Sequence, residues 1–81
     1  MTRKMRIEFR TVEGIRQFAD AVSKISGKAT ILSGRYAVNA KSIMGIFSID
    51  LTKPLILEIA DWKEEYTELL KGFLYETVGY L

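Results

Sequence analysis

The sequence predicts an α+β fold of open-faced sandwich type, in which one four-stranded sheet carries three helices on a single face. Three observations lead there. Apolar residues alternate with charged ones early in the chain, recur at three- and four-residue spacing in two longer stretches, and form one short, nearly continuous run after the single proline. These are the periods of a half-buried strand, of amphipathic helices and of a strand paired on both sides. In 81 residues, such elements leave room for one domain, residues 1–81, and one core.

Met5, Ile7 and Phe9 alternate with Arg6, Glu8 and Arg10, which predicts a first strand with one dry face. Thr11 is a candidate N-cap for the helix that follows. There Val12, Ile15, Phe18, Ala19, Val22 and Ile25 share a side, so the helix is expected to run to about Ser26, with Gly27 as its left-handed terminator. Residues 29–32 and 35–39 flank Ser33-Gly34 and read as a hairpin. Ser42 then caps a short helix predicted to end near Asp50 or Leu51, because Pro54 disfavours helix at the residue before it. Leu55 to Ile59 are apolar enough to suit a central strand. Asp61 with Glu64 resembles a capping box, and Tyr66, Leu69, Leu70, Phe73, Leu74 and Val78 continue as the stripe of a third helix ending near Gly79. The order is βαββαβα.

Composition narrows the chemistry. With no cysteine and no histidine, the chain lacks thiolates, disulfides and the commonest proton shuttle and metal ligand. No metal, no cofactor and no catalytic residue are expected. Asp61, Glu64 and Glu65 have no histidine, cysteine or phosphate loop beside them. A net charge of +2 with interspersed signs argues against nucleic acid as a partner. No apolar run approaches the roughly 20 residues of a spanning helix, and the start lacks a signal-peptide pattern, so the expectation is a cytoplasmic protein without membrane attachment.

The stretch around Ser42 has more apolar surface than one buried face needs. At about 100° per residue, Ile46 and Ile49 define one side, while Ile43, Met44 and Phe47 define another. A domain this small covers only one of them. The other is expected to be a contact surface, and a methionine beside an aromatic suits re-packing against a partner.

Val38-Asn39 followed by Lys41-Ser42-Ile43-Met44-Gly45 resembles the HPr family, the histidine-containing phosphocarriers of the bacterial sugar phosphotransferase system. The resemblance is specific from about Ser23-Lys24 to Ile59. It implies a four-stranded antiparallel sheet with three helices on one face. The family's phosphoryl-accepting histidine lies in a Gly-Leu/Ile-His-Ala-Arg-Pro loop between the first strand and first helix, and this chain has no histidine. Alignment without a gap through the first helix deletes most of that loop, so that Thr11 joins strand to helix. Matching Gly14-Ile15 to the motif instead places Arg16 at the histidine, Phe18 at the arginine and Ala19 at the proline. Neither placement supports carrier chemistry, because a guanidinium stays protonated.

In Gram-positive relatives the serine matching Ser42 is phosphorylated by HPr kinase, and the product binds a sugar-responsive transcription regulator. The resemblance therefore implies a regulatory phosphorylation site at Ser42, with Lys41 as a neighbouring counter-charge. It also implies a partner surface formed by Lys41, Ile43, Met44 and Phe47. The function expected is that of a degenerate, non-enzymatic HPr-like module acting through its second helix. The alternative is a structural or assembly role, as a homodimer or with a constant partner, without phosphate. Arg10 and Arg16 are weaker candidates for anion recognition near the first helix. Trp62 and Tyr66 are expected to pack against the sheet edge, and Tyr75 and Tyr80 are candidates for a homodimer or partner surface.

Overall fold

The computed structural model describes residues 1–73 and has the expected element order. Strand β1 spans Arg3–Ile7, helix α1 Val12–Val22, β2 Ala29–Ser33, β3 Tyr36–Asn39, α2 Ile43–Phe47, β4 Leu55–Ile59 and α3 Tyr66–Leu70. The sheet is antiparallel throughout, in the order β1-β4-β2-β3. The apolar strand β4 is internal, as its composition requires: Leu57 stands between Met5 of β1 and Ile31 of β2.

Alternation sets the core. Met5 and Ile7, Ala29 and Ile31, and Leu55, Leu57 and Ile59 point to the helix-covered face and are buried. They meet Ile15, Phe18 and Val22 of α1, Ile46 of α2, and Tyr66 and Leu70 of α3. Phe18 lies between Phe9 and Phe73, with ring centroids 5.0 and 5.3 Å away in edge-on contacts. The intervening strand positions, among them Lys4, Arg6, Thr30, Leu32, Ile56 and Glu58, keep partial contact with solvent on the open face.

Four boundaries differ from the sequence reading, each for a local reason. Strand β1 stops at Ile7, short of Phe9, because Ile7 pairs with Leu55 and the next partner along β4 would be Pro54, which has no N–H to donate. Helix α1 stops at Val22: the Ser23 hydroxyl bonds the Asp20 carbonyl at 2.6 Å, and Lys24 and Ile25 continue in tighter turns, donating to the Ala21 and Val22 carbonyls. Gly27 therefore terminates no helix and has no positive φ. Its small size is needed instead by the neighbouring strand end, since a Cβ there would lie 2.8 Å from the Ala60 carbonyl oxygen.

Helix α2 closes at Phe47, earlier than Asp50, with the Ser48 hydroxyl on the Gly45 carbonyl at 2.6 Å. Helix α3 begins at Tyr66, and Asp61 does not cap it. Asp61 sits at φ 54° in the turn after β4, and Glu65 at the N-cap position makes no side-chain cap bond. That turn is fixed from another direction: the Trp62 N–H donates to the Met1 carbonyl at 2.8 Å, and the Arg3 guanidinium lies 4.6 Å from the centre of the Trp62 ring. Leu74, Val78, the helix end at Gly79, Tyr75 and Tyr80 lie outside the described residues. Among the described residues no helix is long and apolar enough to cross a membrane.

Candidate functional site

Helix α2 is built by a sequence of caps. Asn39 ends β3 and bends the chain, its side-chain oxygen accepting from the Lys41 N–H at 2.9 Å and its carbonyl from the Ser42 N–H at 3.0 Å. Ser42 follows in extended conformation, at φ −105° and ψ 111°, and its hydroxyl accepts from the Gly45 N–H at 3.1 Å. Ser42 is thus the N-cap that its position predicted. It is half-buried, so the hydroxyl is partly open to solvent. No acidic residue lies in the first turn of α2 to oppose further negative charge there.

Ile46 is fully buried, whereas Met44 is 78% and Phe47 44% exposed. The division follows from the helical period, because residues three apart lie about 60° from each other. Met44 and Phe47 share the outward side, and Ile43 shares the inward side with Ile46. Ile43 is accordingly half-buried and packed on the core, which removes it from the outward surface on which the sequence reading placed it. Ile49 is also partly buried against the core.

Lys41, exposed beside Ser42, has a partner of its own. Its ammonium donates to the Ile25 carbonyl at 2.5 Å, in the tight turns beyond α1. The favourable partner is a carbonyl otherwise left over where that helix stops. The Lys41 stem thereby links the start of α2 to the end of α1.

The junction of β1 and α1 is short, only residues 8–11, with Thr11 capping α1 through the Gly14 N–H at 2.9 Å. Arg10 turns back on Glu8 at 3.1 Å, while Arg16 lies exposed on α1. The carboxylates of Asp61, Glu64 and Glu65 are exposed, and the structure assigns none of them a cap bond.

Beside α2, the β2–β3 turn and the segment leading into β4 enclose a cleft of about 530 Å³, which the sequence pattern did not single out. Tyr36, read only as a strand residue, stands 67% exposed on its rim. The available signal was the turn itself: a strand residue immediately after Gly34-Arg35 lies at a sheet corner where an aromatic has little to cover it.

Fold and site together define a class, a small α+β open-faced sandwich that presents one short, doubly capped helix with an apolar outward side. Comparison of the chain with family models and with curated proteins returns no match.

Proposed function

We propose that this protein is an HPr-like domain without phosphocarrier activity, working as a non-enzymatic protein-binding module through α2, with Ser42 as a phosphorylation switch. The observation that carries the reading is the outward side of α2. Met44 and Phe47 are exposed there although Ile46, two and one residues away, is fully buried. Large apolar side chains side by side on a surface mark contact sites more often than isolated ones do. The Lys-Ser-Ile-Met-Gly resemblance supports the same helix, and the absence of histidine is the reason to assign binding in place of carrier chemistry.

Phosphate on Ser42 would meet N–H groups of the first turn and no acidic neighbour within it. It would also alter the charge at the edge of the Met44 and Phe47 surface, which is how a modification at a cap controls docking. The test is incubation with HPr kinase and nucleotide, followed by intact mass measurement of the wild type and of Ser42→Ala. One added phosphate in the wild type and none in the variant is the expected result. No addition, or addition that survives in Ser42→Ala, removes the switch.

The same exposed pair also favours a second reading, self-association through α2. Light scattering separates the two. A dimer that Phe47→Glu converts to monomer would establish assembly, and a strict monomer at high concentration would dismiss it.

A further inference from the structure

We propose that Lys41 is a latch with two alternative partners: in the unmodified protein its ammonium ties the start of α2 to the end of α1, and phosphate on Ser42 draws it away and unties them. Its release rests on Ser42 accepting phosphate, as proposed above, and is the change of structure that the added charge would cause.

The closed position is the one observed. Lys41 Nζ donates to the Ile25 carbonyl at 2.5 Å, and the two residues are 16 positions apart in the chain. Ile25 lies in the tight turns beyond α1, where its own N–H donates to the Val22 carbonyl and its side chain is fully buried. The bond therefore holds the entrance of α2 against a fixed point of the core. The backbone of Lys41 is held separately, by its N–H on the Asn39 side-chain oxygen at 2.9 Å, so the ammonium can change partner by rotation of the side chain alone. Lys41 is exposed, and among the described residues it takes part in no ion pair. The partner of its charge is a neutral carbonyl.

The second partner is one residue away. Ser42 follows Lys41, with its Cα about 3.8 Å along the chain, a step that the flexible four-carbon stem of lysine spans. Phosphorylation forms a bond from Ser42 Oγ to the γ-phosphorus of a nucleoside triphosphate, breaks the bond from that phosphorus to its bridging oxygen, and releases the hydroxyl proton and the nucleoside diphosphate. A neutral hydroxyl is replaced by three acceptor oxygens with a charge of about −1.5 to −2. A bond between two charged groups is stronger than one from an ammonium to a neutral carbonyl, and the first turn of α2 holds no acidic residue to oppose the phosphate. The Ile25 carbonyl does not prevent the exchange. Its partner is an exposed side chain, so water reaches the vacated place and restores a hydrogen bond there. Phosphate thus acts on α2 by loosening it from α1 as well as by charge.

The test introduces Ser42 as phosphoserine during synthesis, through an expanded genetic code, so that no kinase is needed. The carbonyl carbon of Ile25 is followed by NMR in labelled protein, and the amide spectrum reports whether each form is folded. Lys41→Met, which keeps the stem and removes the ammonium, is expected to move that carbon from its wild-type shift. Phosphoserine in the wild-type background should move it in the same direction and by a similar amount. Phosphoserine in the Lys41→Met background should move it no further, because the latch is already open. An Ile25 carbon that Lys41→Met leaves in place would show that the latch does not exist. One that phosphoserine leaves in place, or moves equally with and without Lys41, would show that phosphate does not open it. None of these outcomes depends on whether HPr kinase modifies Ser42, so the loss of the switch and the loss of the latch are read separately.

Discussion

Asp50 shows how one residue can hold a loop and report on it. The hydroxyl and the N–H of Thr52 both bond its carboxylate and hold its pKa below the ordinary 3.8 against the opposing effect of desolvation, with a lesser lowering contribution from Lys53. A depressed carboxylate contributes stability that is present above its unfolded pKa and lost as pH falls through the folded value, here in the acid range below 3.8. Thr52→Val removes the hydroxyl, the largest cause. The carboxyl carbon of Asp50, followed by NMR through an acid titration, should then titrate closer to 3.8; an unmoved midpoint would mean that the hydroxyl does not hold it. Gly27 offers a second measurement at this scale. Because an added Cβ meets the Ala60 carbonyl, a backbone atom that cannot rotate aside, Gly27→Ala should lower stability by about 1–3 kcal/mol in urea denaturation. The sequence did mark Gly27 as special but assigned the wrong cause, since a glycine needed for close approach and one needed for positive φ look alike in a string of letters. Gly34, at φ 59° with Arg35 at negative φ, is the residue that needs the second property.

Among the elements, α2 separates stability from recognition within five residues. Ile46→Ala empties a fully buried site and should cost about 2–5 kcal/mol. Phe47→Glu, on the outward side, should leave stability within roughly 0.5 kcal/mol while abolishing docking, and denaturation curves of the two variants side by side would check both. Equal destabilisation would show that Phe47 is part of the core after all. The existence and kind of every described element were legible because each has a clear period or a flanking cap, as with Thr11 before α1 and Ser42 before α2. The ends were less so. Ser23 and Ser48 close their helices by bonding carbonyls three residues back, a choice the apolar pattern does not record. Ile43 was misplaced because it lies about 60° from Ile46 and about 40° from Phe47, so the helical period alone suits either side, and contact with the core decides. The Lys41 bond to Ile25 and the Trp62 bond to Met1 are long-range contacts, and nothing local announces them. Asp61 satisfied a capping-box spacing and yet turned to positive φ, because the end of β4, tied at Ala60 to Lys28, had to be left by a sharp turn.

For the whole molecule, the sheet was legible down to its central strand. The unbroken apolar run of Leu55, Ile56 and Leu57 could be buried only between two neighbours, and β4 has them. The cleft by Tyr36 was not legible, because its walls come from turns distant in sequence whose meeting depends on the sheet bringing β2 and β4 together. Placement of β4 also governs how the molecule can come into being. The strand that pairs with both β1 and β2 is the last of the four to be synthesised, and without it β1 has no partner in the sheet. A chain truncated after residue 53 should therefore lack cooperative unfolding and show collapsed amide dispersion, whereas a β2–β3 hairpin fold persisting alone would contradict this. During synthesis the nascent chain must leave Met5 and Ile7 unpaired, and Ala29 and Ile31 open along one edge, until β4 has emerged, and then complete the sheet by insertion at its centre. The protein is accordingly made in one late step, and its vulnerable interval is set by the time the ribosome takes to travel from Ile7 to Ile59.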